Sequence, residues 1–189
     1  MTRRLAWLLA AAAILLASAA RAQEACKTVQ LKNPAVPLAQ MYTMAEKAAK
    51  AWKPDAAPAR ITNTSLGPLQ PDGSSTAWSL TFFSAQANAN VAINTFRGSM
   101  TCWASPGEAG RMPDLKPDFY LDGAALYALA KKEGEALLKD GYTVSLGTSA
   151  APSNRHATWY LNYEKDNKSG GLSVIVDANT GKLEKVMKH

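Results

Sequence analysis

The most constraining feature of this sequence is an order of elements that occurs twice, an apolar helical stripe followed by four short strand patterns. Residues 38–53 carry apolar side chains at three- and four-residue steps, which predicts a helix that ends before Pro54. Residues 122–139 carry a second stripe, with Asp122 as the N-cap and Asp140 and Gly141 at its end. Such stripes are typical of helices that pack one face on a sheet.

Each stripe precedes four segments that are rich in β-branched and aromatic residues and separated by turn formers. The predicted strands are 59–65, 77–83, 90–96 and 99–103 in the first half, and 142–147, 158–163, 172–177 and 182–187 in the second. A single strand tryptophan, Trp78 or Trp159, occupies the same place in each half. We interpret this as an internal duplication, the alternative being chance similarity between amphipathic elements.

The predicted fold class is therefore α+β, with two tandem helix-plus-antiparallel-sheet repeats and a helix packed on one face of each sheet. The two sheets are either separate or joined into one curved surface. Residues 23–104 form the first predicted unit, residues 105–120 a linker rich in proline and glycine, and residues 121–189 the second unit.

Residues 1–22 have the pattern of a secretory signal. Arg3 and Arg4 precede an apolar run over residues 5–16, and Ala20 and Ala22 supply small residues at the two positions that a signal peptidase inspects, with cleavage expected after Ala22. The run is too short to span a bilayer, which takes roughly 20 residues, although an uncleaved anchor is the alternative. We expect a periplasmic or secreted protein without a membrane span after cleavage.

The charge balance gives no indication of nucleic-acid binding. The full chain has 21 basic and 15 acidic residues, and loss of Arg3, Arg4 and Arg21 with the signal leaves a net charge of +3. The remaining charges are spread without a basic cluster, which is typical of an ordinary exported surface. We therefore expect no nucleic-acid partner.

Two cysteines remain after the signal, Cys26 and Cys102. An even pair in an oxidising compartment predicts a disulfide, with two separate thiols as the alternative. The bond would fix an N-terminal segment that otherwise frays.

The second half resembles a known family. A strand that carries Trp159 is followed by residues 172–183, which read LSVIVDANTGKL. Together with the preceding helix, this resembles the PepSY domain, whose repeats end in a V-D-A-x-T-G hairpin after a strand with Trp. The likeness is clearest in residues 122–189, and residues 37–104 are a loose second copy. It implies a small exported helix-on-sheet module that binds or inhibits a protein, without catalytic residues.

Motifs for catalysis, metals and cofactors are missing. His156 and His189 are the only histidines, so neither a multi-histidine zinc site nor a Cys–His motif can be assembled. No G-x-S-x-G turn or phosphate-binding glycine loop occurs. Residues 177–181 are interpreted as a turn, because Lys188 replaces the Glu of a calcium loop. We predict no catalytic residue, no metal and no cofactor, with His156 a solvated loop residue.

Strand alternation predicts that a polar sheet face carrying large rings is left open on the side away from the helices. Phe83, Phe96, Trp103 and Tyr160 are the candidate partner-binding residues of this face. The alternative is that these rings pair across strands or are buried between the repeats.

The leading functional hypothesis is a non-enzymatic protein-binding or inhibitory module that acts through this face. A periplasmic small-molecule carrier is the alternative, with a pocket between helix and sheet lined by Met41, Met44, Trp78 and Leu80. An enzyme that uses His156 or dispersed acids is the third hypothesis.

Overall fold

The computed structural model describes residues 26–107, 112, 115–149, 156–166 and 168–189, so the predicted signal over residues 1–22 lies outside the described residues. Three helices lie in the described ranges: α1 (Leu38–Trp52), α2 (Gly123–Glu133) and α3 (Glu135–Lys139). The strands are β1 (Val29–Gln30), β2 (Val36–Pro37), β3 (Ala57–Asn63), β4 (Ser74–Ser75), β5 (Trp78–Ser84), β6 (Ala89–Phe96), β7 (Ser99–Pro106), β8 (Thr143–Ser149), β9 (Thr158–Lys165), β10 (Lys168–Asp177) and β11 (Leu183–Lys188).

Nine of these strands form one antiparallel sheet in the order β1-β7-β6-β5-β3-β8-β9-β10-β11, and β2 pairs with β4 in a separate two-stranded ribbon. The predicted fold class of two tandem helix-plus-sheet repeats is therefore wrong. Strands from both halves of the chain belong to a single large sheet, and the structure is mostly β with few helices. The individual strands and the first helix lie within a few residues of their predicted positions.

The two halves of the sheet join where β3 lies beside β8, a contact that we call the seam. Backbone pairing at the seam is limited to Thr62 opposite Gly147. Side chains supply further bonds: the Thr62 hydroxyl donates to the Leu146 carbonyl at 2.9 Å, and the Thr148 hydroxyl accepts from the Ile61 N–H at 2.9 Å. Because hydroxyls replace part of the backbone ladder, the seam is irregular yet continuous.

One hydrophobic core fills the space between the helices and the side of the sheet that faces them, the inner face. It combines Met41 and Ala45 of α1 with Leu126 and Ala130 of α2, all of them 0% exposed. The inner-face strand residues of the same cluster are Ile61, Trp78, Leu80, Phe82, Val91, Ile93, Val144, Leu146, Trp159, Leu161, Tyr163, Val174 and Val176. Because residues from both halves belong to one hydrophobic cluster, the halves are not separate domains with a core each.

Residues 105–120, predicted as a linker, contribute to this core. Phe119 is 4% exposed, and its ring lies 4.9 Å from Tyr42 and 6.2 Å from Trp159, measured between ring centroids. Met112 is also buried. Phe119 therefore bridges helix α1 of the first half and strand β9 of the second, while residues 105–107 and 116–118 of the segment are exposed.

The second predicted helix is interrupted at Gly134, which separates α2 from α3. A Cβ atom at Gly134 would overlap the ring of Tyr163, and the Tyr163 hydroxyl donates to the Ala130 carbonyl. The absence of a side chain at Gly134 thus lets a β9 ring approach the helix backbone.

The predicted disulfide between Cys26 and Cys102 is confirmed. It attaches the segment that carries β1 to β7, whose Met100 lies opposite Val29. This bond agrees with folding in an oxidising, extracytoplasmic compartment. Among the described helices, none has both the length and the apolar character required to cross a bilayer.

Candidate functional site

The outer face, the side of the sheet that points away from the core, is predominantly polar. One row of outer-face residues crosses six strands, from β7 to β9: Thr101, Asn94, Ser79, Thr62, Gly147 and Tyr160. Because the core residues of α1 and α2 pack on the inner face, and α3 follows α2 on that side, no described helix covers the outer face. A half-covered antiparallel sheet of this kind presents a broad polar surface.

The four predicted partner-binding residues differ in exposure. Trp103 is 57% exposed and Phe96 is 43% exposed, whereas Phe83 is only 6% exposed. Tyr160 is half-buried. Two of the four rings are therefore open to a partner, one is partly available, and Phe83 is too buried to act as an anchor.

Phe83 lies at one end of the sheet. It lies opposite Asn90 on β6 and Ala57 on β3, next to an irregular register between Pro58 and Arg60. The Asn90 side-chain amide donates to the Gly107 carbonyl at 2.7 Å, so the chain that leaves β7 is held close to this end of the outer face. Strand alternation indicates which face a side chain is on, but not whether a neighbouring segment covers it.

Phe96 and Trp103 lie near one edge of the sheet, and we call them the aromatic edge. Phe96 precedes a tight hairpin in which Arg97 and Gly98 have φ angles of 48° and 80°. The Arg97 guanidinium lies over the Phe96 ring, 5.0 Å from its centroid, in a cation–π contact. Trp103 lies on the adjacent strand β7, opposite Ala92.

Strand β7 is only partly paired along the edge that faces away from β6. In the described residues β1 pairs with Ser99 and Met100 alone, and the disulfide holds the Cys26 Cα 5.3 Å from the Cys102 Cα, so no described strand pairs with residues 103–106 on that side. Tyr160 is on β9, five strand spacings from β7, which corresponds to about 24 Å. The structure thus brings Phe96 and Trp103 to one edge and leaves Tyr160 in a different region of the face.

Tyr160 lines a polar cleft over the seam, with a volume of about 400 Å³. Arg60 and Glu164 supply opposite charges to its walls. Glu164 accepts a hydrogen bond from the Ser145 hydroxyl at 2.9 Å, which orients the carboxylate. The remaining lining side chains are polar or small: Thr62, Asn63, Ser65, Ser145, Gly147, Thr148 and Asn162, together with Leu146.

The interior pocket proposed for a carrier is filled by packed side chains. Met41 and Leu80 are 0% exposed, and Trp78 is 1% exposed. The Trp78 indole N–H donates to the Val36 carbonyl at 2.7 Å, which fixes the ring inside the core. Met44 is only partly buried and borders a groove beside Cys26 on the molecular surface.

A second cluster of side chains, which the sequence did not reveal, lies beside the edge strand β11, where β9 begins and β10 ends. His156 Nε2 lies 2.5 Å from Glu184 Oε1 and 3.6 Å from Asp177 Oδ2. The signal that could have found it is the succession of the predicted strands 158–163 and 172–177, because successive antiparallel strands usually pair. Antiparallel pairing places the residues just before β9 beside those just after β10.

The turn predicted over residues 177–181 is present. Asp177 Oδ1 accepts hydrogen bonds from the N–H groups of Asn179 and Thr180 and from the Thr180 hydroxyl, and Gly181 has a φ of 70°. Although burial opposes ionisation, the Thr180 and Asn179 hydrogen bonds, helped by His156, hold the pKa of Asp177 below its ordinary value.

Comparison with known proteins supports the fold alone. No family model matches the chain, and no curated protein matches its sequence. A crystal structure described as that of a "putative lipoprotein" from Clostridium difficile 630 is similar in fold, with a TM-score of 0.51 and 12% identity. The match covers 89% of this chain and all of that one. The resemblance to the PepSY domain stays a prediction.

Proposed function

We propose that this chain is an exported, non-enzymatic protein-binding or inhibitory module that acts through the outer face of its sheet, in the periplasm or as a secreted protein. The disulfide supports export, and so does the description of the similar structure as a lipoprotein. The PepSY-like sequence over residues 172–183 is consistent with a binding or inhibitory module.

The observation that carries the proposal is the exposure of the aromatic edge. Trp103 at 57% and Phe96 at 43% are large rings on a polar strand face. Tryptophan and other aromatic side chains supply much of the energy in protein interfaces, because they bury a large area with few rotatable bonds. Phe83 is excluded as an anchor, and Tyr160 is a secondary contact at most.

A strand of the partner could pair with the edge of β7 that faces away from β6 and so extend the sheet. A partner strand laid along residues 103–106 would hydrogen-bond to backbone N–H and C=O groups that no described strand pairs on that side. Trp103 of β7 would then lie beside the added strand and contact the partner's side chains. Main-chain bonds would then provide affinity, and the two rings would provide specificity.

A site-specific photo-crosslinker tests the aromatic edge. A benzophenone amino acid is introduced at Trp103, at Phe96 or, as the control, at Leu183, an apolar residue that is 40% exposed near the opposite edge of the sheet. We expect a discrete crosslinked protein partner from positions 103 and 96, and none from position 183. Equal crosslinking from all three positions, or from position 183 alone, contradicts the proposal.

Alanine variants test the same surface by affinity. The Trp103→Ala and Phe96→Ala pair should weaken partner capture by at least about tenfold, since interface tryptophans commonly contribute more than 1.4 kcal/mol. The thermal midpoint should be nearly unchanged, because both rings are exposed. Tyr160→Ala should have a smaller effect, and unchanged capture by the double variant contradicts the assignment.

The polar cleft over the seam favours a second candidate, a carrier of a small polar molecule. Its volume of about 400 Å³ lies in the range of ligand sites, and Arg60 and Glu164 offer opposite charges to a ligand. We propose the outer face for such a carrier site, because Met41, Trp78 and Leu80 fill the interior. Native mass spectrometry tests it: a bound small molecule that is lost in Arg60→Ala supports the carrier, and a mass equal to the bare chain contradicts it.

A further inference from the structure

The far end of the sheet brings together three metal-ligating side chains that play no part in the proposed binding face. His156 precedes β9, Asp177 ends β10, and Glu184 is the second residue of β11. One ligand atom from each side chain lies within 4.8 Å of the other two. We infer that His156, Asp177 and Glu184 form a binding site for a divalent transition-metal ion such as Zn²⁺.

The spacing of the ligand atoms suits such an ion. Zinc binds imidazole nitrogen and carboxylate oxygen at about 2.0–2.2 Å, so two ligand atoms of a tetrahedral site are about 3.3 Å apart. The His156 Nε2 atom lies 2.5 Å from Glu184 Oε1 and 3.6 Å from Asp177 Oδ2, on either side of that value. A bound ion would require the first distance to lengthen and the second to shorten.

Hydrogen bonds away from the cluster orient the Asp177 side chain and align the backbone next to His156. Three hydrogen bonds occupy Asp177 Oδ1, and Oδ2 is the atom nearer to His156 Nε2. The Ala178 N–H donates to the Ala157 carbonyl at 3.0 Å, which fixes the residue after His156 beside the residue after Asp177. Orientation of ligands by outer hydrogen bonds is a recurring feature of metal sites.

The ligand types select among cations. An imidazole nitrogen favours zinc, nickel, cobalt or copper over magnesium and calcium, which prefer oxygen ligands alone. Three protein ligands also leave a fourth tetrahedral position for water or another molecule. The side chains of His156, Asp177 and Glu184 are 39%, 23% and 30% exposed, so an ion can reach them from solvent.

An ion pair between His156 and the two carboxylates is the competing explanation, and metal titration separates the two. Untagged, EDTA-treated and dialysed protein is titrated with Zn²⁺ by calorimetry, and with Co²⁺ by visible absorption, which reports tetrahedral coordination. We expect one equivalent of Zn²⁺ to bind and Co²⁺ to give visible d–d bands. His156→Ala and Glu184→Gln should each weaken Zn²⁺ binding by at least about tenfold.

His189→Ala is the matched control, because it removes the other histidine, whose Nε2 lies 2.9 Å from the Ser173 hydroxyl. Zinc affinity should be unchanged in this variant. Thermal unfolding of each metal-free variant shows that it is folded, and Glu184→Gln keeps the shape of the side chain if His156→Ala is unstable. Absence of saturable binding by the natural chain, or equal binding by all three variants, overturns the site. A lower unfolding temperature of His156→Ala without any metal binding assigns an ion pair only and also overturns it.

Discussion

At the scale of single residues, Tyr163 makes a buried polar contact between the sheet and a helix. Its side chain is 0% exposed, and its hydroxyl donates to the Ala130 carbonyl of α2. Burial, together with the negative charge of Glu133, raises the pKa of Tyr163 to about 12. A single hydroxyl thus connects the sheet to the helix that covers it.

Tyr163→Phe is expected to lower the free energy of unfolding by about 1–2 kcal/mol, because it removes the hydroxyl and leaves the buried Ala130 carbonyl without that donor. Urea unfolding at neutral pH measures the change. Tyr127→Phe is the control, since Tyr127 is only partly buried and makes no hydrogen bond through its side chain within the described part of the chain. Equal losses in the two variants would show that the hydroxyl bond contributes nothing specific.

Stability should also decrease in alkaline solution. A phenol whose pKa is raised in the folded protein binds its proton more tightly there, so its contribution is complete below the ordinary value of 10. That contribution is lost as pH rises from 10 towards 12, as Tyr163 ionises. Burial raises the pKa of Tyr42 as well, with Glu46 as a second cause. Unfolding free energies between pH 8 and 11.5 should fall above pH 10, and less steeply in Tyr163→Phe; parallel curves would contradict this assignment.

At the scale of elements, local patterns predicted where most helices and strands lie but not where α2 ends. The apolar stripe continues through residues 122–139, and a lone glycine in such a stripe does not indicate a break. The break at Gly134 depends on the Tyr163 ring, which comes from a strand that begins 24 residues later. The same limit applies to Phe83: strand alternation predicts which face of the sheet the ring is on, but not that the ring is buried.

Gly134→Ala therefore tests the helix break. In an ordinary helix this change stabilises by roughly 1 kcal/mol, but here the added Cβ overlaps the Tyr163 ring. We expect a net loss of about 1–3 kcal/mol in urea unfolding, as for other overpacked sites. In a Tyr163→Ala background the same substitution should be neutral or stabilising. A loss that is identical in both backgrounds would show that the ring does not cause the constraint.

At the scale of the whole molecule, two features join the halves of the chain: the seam between β3 and β8, and the Phe119 ring between Tyr42 and Trp159. Sequence patterns predict strands, and adjacent strands usually pair, but they carry no signal for the pairing of β3 with β8. That contact joins Thr62 to Gly147 across more than 80 residues. Because residues 105–120 are rich in proline and glycine, the sequence predicts a linker there. The same segment supplies the ring between Tyr42 and Trp159.

A single core implies a single unfolding transition. If the halves were independent, calorimetry would show two transitions, or a van't Hoff enthalpy well below the calorimetric one. We expect one transition with equal enthalpies in the mature chain, because the inner-face residues of both halves belong to one cluster.

Phe119→Ala should lower the unfolding free energy by about 3–5 kcal/mol and keep the transition single, since its ring contacts both halves. Met112→Ala, at another buried position of the segment, is the comparison and should cost about 2–5 kcal/mol. Residues 121–189 alone should not fold, because they would lose Phe119 and expose the seam edge of β8; a folded fragment, or two transitions in the full chain, would mean that the halves are separate cooperative units.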